Sequence, residues 1–238
     1  MTWPAPPPGW LDTRRWSQRI GASRCSVVAI RFSPADFDCQ AFARHDVDMP
    51  ATIAGSVRRR QAEFFFGRLA ARQALREAGL SGQVGIGALR APTFPAGVVG
   101  SVTHTGCWAA AAVLPAACHR GIGIDLEVPV DEALFATLDS EVWDEHEGRI
   151  LRACSGLPVT VLGTLLFSAK ESFYKALSAA AGRIFDFSAL RLRSIDLPAG
   201  RMHFQTTEAL AAQWPAGSAC TVDFTVLDEG LVLTAFAW

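Results

Sequence analysis

The chain has 238 residues, 50% hydrophobic and 19% charged, with 22 Lys plus Arg against 23 Asp plus Glu. That composition excludes global disorder, and at about 150 residues per domain the length leaves room for one large domain or two fused small halves. A net charge of −1 argues against holding nucleic acid by bulk electrostatics, so any anion site must be local.

Residues 1–16 are broken by four prolines and carry their arginines late, which does not fit an export signal, and residues 1–10 read as an irregular lead-in. Ser26–Phe32 is apolar and β-branched enough for a strand, and Ser33–Pro50 is a loop-rich connection. A long helix is expected between Ser56 as N-cap and Gly79 as its terminating glycine, with Phe65, Leu69 and Leu75 on one face and arginines on the other. Gly82–Gly100 is punctuated by proline and glycine and reads as loop. Strands are expected at Val98–Val102 and Trp108–Leu114 around a His104-Thr105-Gly106 turn, and at Gly121–Val128. The stretch from Cys107 to Cys118 is the longest apolar one, and it falls short of the roughly 20 residues that cross a bilayer. Asp131–Ala153 and Val159–Ala181 read as helices, the second with Leu162, Leu165, Leu166, Ala169, Phe173, Leu177 and Ala180 on one stripe. Leu190–Ile195, Cys220–Leu227 and Leu231–Trp238 are further strands. The fold class is therefore α/β or α+β, in two halves, 1–118 and 119–238, that meet near Pro115–Arg120. None of the six cysteines forms a Cys-x-x-Cys pair or has a histidine at zinc spacing, so a reducing, cytoplasmic compartment is expected.

Four segments could carry chemistry. In Gly121-Ile-Gly-Ile-Asp125-Leu-Glu127-Val, strand alternation puts Ile122, Ile124, Leu126 and Val128 on one face. The other face then holds two glycines, where a ligand could approach the backbone, and two acids. Two neighbouring carboxylates repel unless a cation sits between them, and oxygen donors suit Mg²⁺ on a phosphate-bearing substrate; solvated acids on an edge strand are the plainer alternative. In Phe167-Ser-Ala-Lys170-Glu171-Ser-Phe-Tyr-Lys175-Ala, Glu171 lies opposite the apolar stripe with Lys175 one turn on. This can complete a metal site and neutralise phosphate, or it can be a surface i,i+4 pair worth a few tenths of a kcal/mol. The chain has only two lysines, and both stand in this motif. Gly100-Ser101-Val102-Thr103-His104 offers hydroxyls and an imidazole for phosphate oxygens, or a structural hydrogen-bonding turn. Arg58, Arg59, Arg60, Arg68, Arg72 and Arg76 form a basic helix face from which spacing alone cannot pick a phosphate clamp.

In this order and spacing, from about Arg58 to Ala181, the four segments resemble the Sfp-type 4′-phosphopantetheinyl transferases, in the branch of enterobactin synthetase component D and its broad-specificity relatives. The resemblance implies two similar α/β halves with coenzyme A in the cleft between them. It also implies Mg²⁺-dependent transfer of the phosphopantetheine arm to a serine of an acyl, peptidyl or aryl carrier protein, with release of adenosine 3′,5′-bisphosphate. By the same resemblance, Asp125, Glu127 and Glu171 would be metal ligands, and Lys170 and Lys175 would contact the pyrophosphate. Arg60, Arg68, Ser101, Thr103 and His104 would hold the 3′-phosphoadenosine end. Glu171 would take the serine proton directly or through metal-bound water. Where relatives place a basic residue before the Ser-x-Thr-His segment this chain has Ile86 and Gly87, with Arg90 nearest, and Phe167 replaces a common Trp. Because carrier proteins are typically acidic, Arg14, Arg15, Arg19, Arg191 and Arg193 are candidate docking charges. A monomer acting without nucleic acid or membrane is expected. The rival classes are a Mg²⁺-dependent phosphoesterase or nuclease, which would hydrolyse its substrate, and a non-catalytic carrier-binding module, which would not need all three acids.

Overall fold

The computed structural model describes residues 6–87 and 91–238. The first half opens with the hairpin β1 (Trp10–Ile20) and β2 (Ser23–Phe32). Two short helices, α1 (Ala41–Arg44) and α2 (Ala51–Ala54), lead into the long α3 (Arg58–Glu77). A small pair, β3 (Gly85–Ile86) and β4 (Pro92–Thr93), precedes the hairpin β5 (Val98–Thr105) and β6 (Trp108–Pro115). The second half comprises β7 (Ile122–Glu127), α4 (Glu132–Glu141), α5 (Glu145–Ala153), α6 (Val159–Ala181), β8 (Leu190–Asp196), β9 (Arg201–Thr206), β10 (Ala219–Val226) and β11 (Val232–Ala237).

Two antiparallel sheets result, of order β1-β2-β6-β5 and β7-β11-β10-β9-β8, so the fold is α+β. Each carries one long helix. The α3 residues Phe65, Phe66, Leu69 and Leu75 are buried against Val28, Ile30 and Phe32 of β2. On α6, Leu162, Leu165, Leu166, Ala169, Phe173 and Leu177 are buried against the second sheet, and only Ala180 of the expected stripe is exposed. The alternate residues of both sheets, among them Val27, Ala29, Ala110, Ala112, Ile124, Leu126, Leu233 and Ala235, form a third core between the sheets. The layers therefore run helix, sheet, sheet, helix. This explains the run Ala109–Ala112: β6 is covered on both faces, and only small side chains fit both contacts.

Several elements differ from the sequence reading. The expected helix over 131–153 is two helices, broken at Val142-Trp143-Asp144, where Asp144 starts a new helix through a capping box with Glu147. α3 begins at Arg58 after Val57 and not at a Ser56 cap, while Gly79 follows its end with φ +76°. The hairpin turn is tighter than expected. Gly106, at φ +54°, closes it, so His104 and Thr105 belong to β5 and pair with Ala109 and Trp108. β1 and β9 were not expected.

Candidate active site

β5 and β7 are edge strands of the two sheets, and they meet side by side. β5 supplies hydroxyls to that seam at alternate positions. Ser101 Oγ accepts from the Ile124 N–H (3.0 Å), and Thr103 Oγ1 from the Leu126 N–H (3.4 Å), which covers the open edge of β7. Thr103 donates to Asp125 Oδ1 (2.8 Å), and Thr105 donates to Glu127 Oε2 (2.8 Å). Ser101 and Thr103 are 2% and 3% exposed: the Thr103 hydroxyl both accepts and donates inside the seam, while Ser101, which only accepts there, also lines the cavity that runs past Lys175.

α6 closes the seam from the other side. A Cβ at Gly123 or Gly121 would run into the carbonyls of Ser172 and Ala176, so the two glycines admit the helix backbone and not a ligand. That close approach brings Lys175 onto the acids. Its Nζ lies 2.5 Å from Asp125 Oδ1 and 3.3 Å from Thr103 Oγ1. Lys175 therefore pairs with Asp125 of β7 and reaches Thr103 of β5 across the seam, and does not pair with Glu171 on its own helix.

Asp125 is 2% exposed, and its Oδ2 has no partner among the described residues. Burial first, then the charge of Asp125, pushes the Glu127 carboxyl up to about 7. Glu171 is also raised, by burial and by Asp125. Among the described residues no three acid, histidine or cysteine side chains stand at ligating distance, and the Lys175 ammonium already pairs with Asp125. The donor set nonetheless fits a hard divalent cation: all oxygen, with one buried carboxylate atom unpartnered and neighbouring acids held reluctantly ionised.

On the α3 side of β5 lies a basic cradle. A cavity of 260 Å³ is lined by Arg60, Glu63, Arg68 and His104 together with Phe64 and Val102. Arg60 Nη1 is 2.6 Å from His104 Nε2, and since a guanidinium only donates, the imidazole proton sits on Nδ1, facing Glu63 at 3.6 Å. Burial and then the charges of Arg60 and Lys175 hold the His104 pKa down against Glu63. Arg68 lies over the Phe64 ring at 4.5 Å and donates to the Gly85 carbonyl, while its Nε is buried without a partner among the described residues. Burial and Arg60 lower its pKa to about 10. A second cavity, of 690 Å³, runs past Arg120, Tyr174 and Lys175 and shares Pro92 and Val102 with the cradle.

Residues 48–114 match the family model of the 4′-phosphopantetheinyl transferase N-terminal domain, and residues 121–223 match that of the 4′-phosphopantetheinyl transferase superfamily. The chain is 38% identical to enterobactin synthase component D of Escherichia coli (strain K12) over 144 residues, 59% of this chain and 68% of the relative. The chain belongs to the 4′-phosphopantetheinyl transferase superfamily. It is similar, too, to 4′-phosphopantetheinyl transferase Npt of Nocardia iowensis, 32% identical over 194 residues that cover 78% of this chain and 86% of the relative. Against enterobactin synthase component D of Salmonella typhi the identity is 37% over 151 residues, and the match spans 62% of each chain.

In this superfamily member the seam brings together Asp125, Glu127, Glu171 and Lys175, and the cradle gathers Arg60, Arg68 and His104. Lys170 joins neither. It is 2% exposed, with Nζ donating to Glu147 and to the Val142 and Phe187 carbonyls, so the expected pyrophosphate contact is corrected to a buried structural pair. Arg90 falls outside the described residues. Of the candidate docking arginines, Arg14, Arg15, Arg19 and Arg191 are already paired with Asp12, Glu77, Asp223 and Asp144, and Arg193 is exposed. The sequence reading missed Glu63 and Thr105. Thr105 was legible, since it continues the alternation of Ser101 and Thr103 once the turn is placed at Gly106.

Proposed function

We propose that this chain transfers the 4′-phosphopantetheine arm of coenzyme A to a serine of an acyl, peptidyl or aryl carrier protein. The observation that carries the reading is the juxtaposition of the Asp125, Glu127, Glu171 and Lys175 cluster with the cradle of Arg60, Arg68 and His104. The cradle suits the 3′-phosphate of the nucleotide, and Lys175 suits the pyrophosphate. A magnesium ion held by Asp125, Glu127 and Glu171 would neutralise charge on the pyrophosphate oxygens.

The serine oxygen bonds to the phosphorus that bears the pantetheine arm, and the bond from that phosphorus to the bridging oxygen breaks. Adenosine 3′,5′-bisphosphate leaves with that oxygen. Glu171, whose burial raises its proton affinity, accepts the serine proton, and the Lys175 ammonium balances charge on the departing side. We take 1–118 and 119–238 as the two halves that build the cleft, since their sheets share no strand. We take the working unit to be a cytoplasmic monomer, a location that suits six free cysteines.

The test is the intact mass of an apo carrier protein incubated with this chain, coenzyme A and Mg²⁺. A gain of one phosphopantetheine arm is expected. Hydrolysis of coenzyme A with an unmodified carrier would replace this reading with a phosphoesterase, and neither product would leave a binding module.

A further inference from the structure

We propose that Thr103 and Thr105 are positioning residues that hold the metal-binding acids in place, and that the alternation of β5 divides one strand between two tasks. The inference rests on the magnesium reading above. Thr103, Thr105 and Ser101 point into the seam, whereas His104 and Val102 line the cradle on the opposite face. Each threonine hydroxyl donates one 2.8 Å bond to one oxygen of one acid: Thr103 to Asp125 Oδ1, Thr105 to Glu127 Oε2.

A hydroxyl fixed on one carboxylate oxygen sets the rotation of the group and leaves the other oxygen to turn toward a cation. At Asp125 that other oxygen, Oδ2, is buried and unpartnered among the described residues. The two acids stand on the second sheet and the phosphate cradle on the first, so the hydroxyls also hold the cation site at a set distance from the nucleotide end. Groups that orient ligands in this way typically contribute tenfold to a hundredfold in metal affinity when removed.

The experiment compares Thr103→Val and Thr105→Val, which keep shape and delete the hydroxyl, with Thr103→Ser and Thr105→Ser, which keep it. Mg²⁺ binding is read by titration calorimetry, and KM for coenzyme A and kcat are read beside it. The valine variants should bind Mg²⁺ about tenfold to a hundredfold more weakly, with little change in KM for coenzyme A, and the serine variants should bind nearly as wild type. Because Thr103 also accepts the Leu126 N–H, the Thr105 pair, whose hydroxyl meets only Glu127, keeps the test open if Thr103→Val folds poorly. Wild-type Mg²⁺ affinity in Thr105→Val overturns the proposal, as does a rise in KM for coenzyme A at unchanged metal affinity, which would return the hydroxyls to phosphate binding. A wild-type chain that binds no Mg²⁺ overturns the magnesium reading itself and this proposal with it.

Discussion

At the scale of single residues, Lys175 is the side chain whose removal separates a working site from a surface pair. Its ammonium already neutralises Asp125 at the seam, so it lies beside the place where phosphate charge would develop. Lys175→Ala should lower kcat about 10²–10³-fold with a smaller change in KM for coenzyme A. Arginine should rescue poorly, because its planar fork cannot place a compact charge at the same point. Steady-state kinetics of both variants check this, and near-normal turnover in the alanine variant would remove Lys175 from the chemistry. On the other face of β5, His104→Ala and Arg68→Ala should weaken coenzyme A binding by about 1.5–3 kcal/mol, roughly tenfold to a hundredfold, while kcat changes less. The control is 3′-dephospho-coenzyme A. If wild type and variants use it equally well, the cradle does not read the 3′-phosphate.

At the scale of elements, α6 is seated by a buried ion pair. Glu147, at the third position of α5, accepts from its capping partner Asp144, from the Leu192 N–H (2.7 Å) and from Lys170, at 1% and 4% side-chain exposure for the pair. Removing one partner, as in Lys170→Met, strands a buried charge and should cost about 3–5 kcal/mol, whereas Glu147→Leu with Lys170→Met should recover only part of it, because the Leu192 N–H then loses its acceptor. Chemical denaturation measures both, and KM for coenzyme A in the double variant should stay near wild type; a large rise would restore Lys170 to the pyrophosphate. This pair also shows what a sequence read by local rules does not reveal. The Lys-Glu motif was visible as the place where both lysines sit, but which of the two reaches the acids depends on helix rotation against β7, set by Gly121 and Gly123. Those glycines read equally well as a ligand approach and as a helix approach. β1 escaped notice because only Gln18 and Ile20 of it are buried and it lacks a clean alternation, as an edge strand allows. β9 alternates cleanly, with Met202, Phe204 and Thr206 buried, and was legible. The break at Val142–Asp144 was legible as well, in the capping box Asp144 to Glu147.

At the scale of the whole molecule, the site exists only while the two sheets keep their register, and far from it a buried carboxylate fastens them. Asp223 on β10 is 1% exposed and accepts from Arg19 (2.9 Å) and the Gly21 N–H (2.6 Å) of the β1–β2 hairpin, and from Arg201 (3.2 Å) of its own sheet. Gln18 adds its side-chain carbonyl to Thr225. Losing the carboxylate in Asp223→Asn leaves two guanidiniums facing an amide. Both arginines are about a third exposed and stay hydrated, so the cost should sit near the low end for a broken buried pair, about 3 kcal/mol. For a chain of this size that lowers the melting temperature by about 6–12 °C. Arg19→Ala should act in the same direction and leave KM for the carrier protein unchanged, because its charge belongs to the joint between the halves and not to a docking face. A thermal melt and a carrier titration on the same preparation decide it: a raised carrier KM at an unchanged melting temperature would make Arg19 a docking residue after all.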